Sequence, residues 1–111
     1  MSLTKEQILS ADDLRHIDLE VPEWGGTIRL QTITARDRQK FHAGGTKGAM
    51  DDFMERFIVA CATDENGKLL FTSEDVKALG TKSAMALNRV FEAAVELNGM
   101  SQRGVEDLQG E

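Results

Sequence analysis

Cysteine, proline, tyrosine and long apolar runs are what this 111-residue sequence has least of. Its one cysteine, Cys61, has no internal partner, so no disulfide can staple the fold and a packed core must hold it. That usage fits a reducing, cytosolic compartment. The longest apolar run, Phe57 to Ala62, is too short to span a bilayer, and the opening MSLTKEQILS lacks the basic and apolar regions of a secretory signal. No membrane partner is expected. Positive charge is also short: 13 Lys and Arg stand against 19 Asp and Glu, a formal net charge of −6 that opposes binding to a phosphate backbone. Apolar residues nevertheless make up 41%, which places the chain among globular proteins. Its length fits a single domain, residues 1–111, with a polar end over about 100–111 expected to fray.

What is present is regular patterning. Thr4 with Gln7 three residues on reads as a capping box opening a helix near residues 5–12. Ile17, Leu19 and Val21 alternate with His16, Asp18 and Glu20, and the alternation resumes with Ile28 and Leu30. Between the two runs stands Pro22-Glu23-Trp24-Gly25-Gly26, with the only Pro and the only Trp, so a β-hairpin is predicted with glycine where positive φ is needed. Thr34 with Asp37 caps a short helix to about Ala43, and GGTKG at 44–48 breaks it. Met50, Phe53, Met54, Phe57, Ile58 and Cys61 form the stripe of a stronger helix. DENG at 64–67 is a turn, and KLLF at 68–71 is an extended segment suited to an edge strand. Thr72 with Asp75 caps a brief helix stopped at Gly80. A last helix, about 82–97, carries Leu87, Val90, Phe91, Ala94 and Val95 on one face and ends at Asn98-Gly99, with a weak closing turn from Ser101. The expected fold class is α+β: a small antiparallel hairpin or three-stranded sheet packed with several amphipathic helices.

Chemistry is hard to find. Cys61 sits on an apolar stripe, where a free thiol behaves as a small hydrophobe. His16 falls on the polar face of a strand and His42 near a helix end, and neither has a partner at metal-ligand spacing. DENGKLLFTSED begins like a calcium loop, but its sixth position is Leu69 where glycine is required. The chain holds no nucleophile elbow, P-loop or dinucleotide fingerprint. Neither catalytic, cofactor-binding nor metal-binding residues are expected, and the chain does not read as an enzyme.

Binding remains. Trp24 is read first as part of a turn that sets strand register, its ring folded on the body, and second as an interface residue. Met50 and Met54 could join an adaptable partner surface. Charge is uneven: residues 34–48 carry Arg36, Arg38, Lys40 and Lys47 against Asp37, a balance of +3. Residues 1–24 carry Lys5 and Arg15 against Glu6, Asp12, Asp13, Asp18, Glu20 and Glu23, a balance of −4. Two such surfaces on one subunit suggest head-to-tail self-association into a ring or open helix. Trp24, Arg36, Arg38, Lys40 and Met50 are therefore the candidate partner or self-association surface.

The layout resembles the tail assembly chaperones of long, non-contractile-tailed bacteriophages and their prophages. The resemblance rests on VPEWGGTIRLQTITARDR and on CATDENGKLLFTSEDVKALGTKSAMALNRVFEAAVELNGMS, covers about residues 17–105, and is thinnest at 42–52. It implies a protein that binds and solubilises the tape-measure protein and helps recruit major tail protein, mainly through an extended form made by programmed frameshifting. It further implies action in the host cytoplasm, as a homo-oligomer that is not retained in the virion. This chain would be the short, pre-frameshift form. Two rival readings are a nucleic-acid-binding phage regulator using the basic helix 35–43, which the net charge opposes, and a structural tail-completion or connector protein.

Overall fold

The computed structural model describes residues 2–43 and 52–99, with 41–43 described by backbone alone. The expected break at 44–48, Met50, and the expected closing turn and frayed end at 100–111 lie outside the described residues.

The alternating segments form strands β1 (His16–Val21) and β2 (Gly26–Gln31), paired antiparallel. Their register sets Ile17 opposite Leu30 and Leu19 opposite Ile28, so one face of the ribbon is apolar. A slip of one residue would turn that face to solvent, which is why the pattern fixes the register. On the other face Asp18 meets Arg29, their side chains 3.0 Å apart. The third strand, β3 (Ala62–Thr63), pairs antiparallel with β2, giving the order β1-β2-β3.

This corrects the expectation for KLLF. The third strand is the two-residue segment just before the DENG turn, and the KLLF segment adds only one bridge, Leu69 to Thr63. Helix α3 (Phe53–Cys61) ends beside β2, so the emerging chain takes the adjacent lane first. The DENG turn then brings Leu69 and Leu70 back as outer residues, 54% and 48% exposed. Asp64 builds the turn by accepting the N–H groups of Asn66 and Lys68 on its carboxylate, and Gly67 takes φ +83°.

Five α-helices complete the described residues. Besides α3 they are α1 (Lys5–Ser10), α2 (Ala35–Ala43), α4 (Val76–Leu79) and α5 (Ala84–Leu97). The predicted caps form at Thr4, Thr34, where Asp37 N–H donates to the hydroxyl, and Thr72; Ser83 caps α5. Gly80 follows α4 at φ −63°, so it closes that helix without the left-handed conformation usual for such a glycine.

The core lies between the apolar sheet face and the pair α3–α5. Phe57, Ile58 and Cys61 from α3 and Ala86, Val90 and Ala94 from α5 are completely buried, as is Leu30 of β2. The α5 residues are small and spaced by four, which lets the two helices approach closely. Phe53, Phe57 and Phe91 close the open side as an aromatic trio with ring centroids 5.7–6.0 Å apart.

Candidate interaction surface

The hairpin tip is a single 3-10 turn, Pro22–Trp24, followed by Gly25 at φ +75°, the conformation that glycine permits. Trp24 keeps 37% of its surface exposed, the same fraction as Ile17, and does not belong to the buried core. Beside it Glu23 makes a two-pronged ion pair with Arg89 of α5, 66 residues away, with Nη2 to Oε2 at 3.0 Å. The Arg89 hydrogen bond, aided by one from the backbone, holds the Glu23 carboxyl below the usual carboxylate range, and the guanidinium is correspondingly raised. Arg89 lies beside the apolar stripe, and its role is to tie the tip to α5.

Arg36, Arg38 and Lys40 stand exposed on α2, Lys40 at 3.8 Å from Asp37. Helix α2 leaves the far end of β2 from Trp24. The intervening six-residue strand separates them by roughly 20 Å at ~3.3 Å per residue. The structure therefore does not gather Trp24 and the basic residues into one patch, and Met50 lies outside the described residues. Nor is the acidic segment free to meet a basic neighbour in full. Asp18 is taken by Arg29, whose hydrogen bond lowers its pKa, and Glu23 by Arg89.

Two surface features go beyond the residues singled out from sequence, Met54 of the second excepted. The first is the amino-terminal arm. Helix α1 buries none of its residues, and Leu3, Ile8 and Leu9 are 70%, 56% and 77% exposed. The arm is held by its own local bonds: the reciprocal Thr4–Gln7 capping box, and Ser10 Oγ donating to the Glu6 carbonyl at 2.7 Å. Leu3 and Ile8 occupy the two positions of a hydrophobic staple across the cap. A six-residue helix is marginal alone, so this one is pre-shaped but unsupported. The second feature is a groove of about 510 Å³ between the start of α5, the first turn of α3 and Gly80 just past α4, with Met54, Met85 and Leu87 as its apolar lining and Glu55 and Lys82 on its rim. Met85 is 73% exposed.

The remaining chemical candidates are quiet. Cys61 is fully buried, and burial pushes its thiol up to about 12 despite a hydrogen bond from Asn98 that works the other way. His16 is exposed on the polar sheet face. Among the described residues no cluster of His, Cys, Asp or Glu is arranged to hold a metal ion, and no helix is long and apolar enough to cross a membrane. Asn98 was read only as a helix stop, yet it joins three elements. Its Oδ1 accepts the Ile33 N–H at 2.9 Å, and its Nδ2 donates to the Ala94 carbonyl at 2.8 Å and lies 3.7 Å from Cys61 Sγ.

No model of a known protein family matches the sequence, and no curated protein is significantly similar to it. The shape is less solitary. The tail assembly chaperone of bacteriophage HK97 superposes with a TM-score of 0.64 over 87% of this chain and 95% of that one, at 16% identity. At that identity the likeness speaks for architecture, and it covers sheet and helices together. The fold of this chain is that of a phage tail assembly chaperone.

Proposed function

We propose that this chain is the short form of a phage or prophage tail assembly chaperone, acting in the host cytoplasm. It binds the tape-measure protein, keeps it soluble and helps to recruit major tail protein before leaving the finished tail. The observation that carries the reading is the shared fold over nearly the whole of both chains. The surface supplies a physical means. A long helical client exposes apolar stripes, and this chain exposes Leu3, Ile8, Leu9, Leu69, Leu70 and Met85 among charged neighbours. Binding, not catalysis, is the work such a surface does.

The test is co-expression with the tape-measure protein of the same genome, with a tag on this chain only. The expected result is a tape measure that moves into the soluble fraction and co-elutes. A tape measure equally insoluble with and without this chain, with no complex recovered, would overturn the proposal.

A further inference from the structure

Strand β1 is an outer strand of the sheet, paired on one side only. The phase of the hairpin ladder shows which of its backbone groups are left over. The Thr32 N–H donates to the Arg15 carbonyl at 2.9 Å, so the bonded pairs continue as Ile17–Leu30, Leu19–Ile28 and Val21–Gly26. The N–H and C=O groups of His16, Asp18 and Glu20 therefore point away from β2, in a row along the free edge. Among the described residues no hydrogen bond reaches them. Their side chains stand exposed on the polar face, while Ile17, 37% exposed, and the half-buried Leu19 form the margin of the apolar face.

This edge is regular and firmly held. Its register runs without a bulge, and residues 16–21 contain neither proline nor lysine, common devices that blunt an exposed edge. Both ends are tied to α5, which packs against β1. Arg15 Nη2 donates to the Leu97 carbonyl at 3.3 Å, and Glu23, just past the strand, pairs with Arg89. The template is fixed before any partner arrives, which lowers the entropy lost on pairing.

We propose that the free edge of β1 accepts an extended protein segment as an added strand, one with Lys or Arg at alternate positions and apolar residues between them. The open N–H and C=O groups supply the attraction, and side chains select the partner. Residues of the added strand opposite Asp18 and Glu20 share the polar face with them, so cations there meet carboxylates. Glu20 makes no ion pair among the described residues, and Asp18 is bonded to Arg29 through Oδ1 alone. The intervening apolar residues land beside Ile17 and Leu19 and widen the apolar face. Residues 12–23 hold Asp12, Asp13, Asp18, Glu20 and Glu23 against Arg15, one minus five, or −4, which favours the approach of a cationic segment. The same charges set aside a second copy of this edge as the occupant. Two such edges laid antiparallel in full overlap would bring Asp18 against Asp18 or against Glu20, and like charges directly opposite destabilise a pair. The inference does not rest on the chaperone reading, because a helical client keeps its backbone groups to itself and would leave this edge unused.

The experiment is a titration of the isotope-labelled full chain with a capped peptide of alternating valine and lysine, long enough to span β1, followed by NMR and amide hydrogen exchange. At saturation, exchange at the His16, Asp18 and Glu20 amides should slow by about 10-fold or more, while Ile17, Leu19 and Val21, already bonded to β2, change little. That alternation is the signature of an added strand. The same peptide N-methylated at its bonding amides keeps its charge and should bind about 10-fold more weakly. Glu20→Lys alters an exposed side chain outside the core; it should weaken the lysine peptide by about 3-fold and improve binding of a valine–glutamate peptide. No slowing at the three amides, slowing spread evenly along β1, or equal binding by the N-methylated peptide would each overturn the inference. A Glu20→Lys chain that treats both peptides as the unaltered chain does would overturn the choice of a cationic segment.

Discussion

Removing the Asn98 side chain should weaken the joint between sheet and helix by about 2 kcal/mol. Asn98→Ala deletes the acceptor for the Ile33 N–H, which leaves β2 toward α2 and has a part-buried bond of 2.9 Å to Oδ1. It also deletes the donor to the Ala94 carbonyl, but that oxygen keeps the Asn98 backbone N–H at 3.1 Å. The loss is therefore dominated by one unsatisfied, half-buried amide at about 1–3 kcal/mol, with a smaller part from the carbonyl. Urea unfolding with an unchanged slope would read the total, and hydrogen exchange at the Ile33 amide would read the local opening. Asn98→Asp sharpens the test. It keeps the acceptor, loses the donor, and places a carboxylate against a helix carboxyl end, where negative charge is disfavoured. Its folded-state pKa should lie above the unfolded value. The variant is then closest to wild type below the unfolded carboxylate pKa and loses stability as pH rises through the folded one. An Asn98→Ala chain within about 0.5 kcal/mol of wild type, with unchanged Ile33 exchange, would refute this account of the joint, because surface substitutions alone cost that little.

Three further outcomes are expected. Cys61→Ala should cost about 1 kcal/mol or somewhat more through lost packing, and the native thiol, buried and raised to about 12, should resist a bulky thiol reagent at neutral pH; fast labelling of folded protein would contradict its placement. Glu23 has a depressed pKa, so its pairing with Arg89 stabilises the fold above the unfolded glutamate value of about 4.3 and is lost as pH falls through the folded value. Glu23→Gln should lower stability at neutral pH and flatten the acid limb, and pH profiles of the same shape would count against the tie. Gly25→Ala, at φ +75°, should cost about 1 kcal/mol in thermal or urea unfolding, and Gly26→Ala, which lacks a positive φ and meets nothing within 4 Å, distinctly less; equal costs would remove the turn argument.

The hairpin and the two core helices were legible because periodicity reports burial directly. Ile17-Leu19-Val21 against Ile28-Leu30, and the stripe through Phe53, Phe57, Ile58 and Cys61, each name a face, and the structure buries Val21, Ile28 and Leu30 with that stripe, Leu19 in part, and leaves Ile17 at the exposed margin. The caps at Thr4, Thr34 and Thr72 were legible for a local reason, since each bond closes within three residues. The third strand was misplaced because Ala62 and Thr63 are paired by where α3 happens to end, a tertiary fact with no local signature. Arg89, Glu23 and Asn98 could not be assigned their partners for the same reason, each bond spanning from 37 to 66 residues apart from the local Ala94 one. The arm was legible as a helix but not as an unpartnered one. The Thr4–Gln7 box names a helix, and only coordinates say that Leu3, Ile8 and Leu9 stay exposed beside it. Of the candidate surface, the exposure of Arg36, Arg38 and Lys40 followed from their charge, while the distance that separates them from Trp24 follows from the length of β2.

The central claim is that this chain holds a tape-measure protein in solution. The direct measurement is light scattering after denatured tape measure is diluted into buffer containing increasing amounts of the purified chain. Scattering should fall to baseline at a fixed ratio of many chains per tape measure, with both proteins in one soluble complex, and an Ile8→Asp, Leu9→Asp variant should need a larger excess. Scattering that rises to the same level with this chain as with an unrelated acidic protein of equal size would contradict the claim.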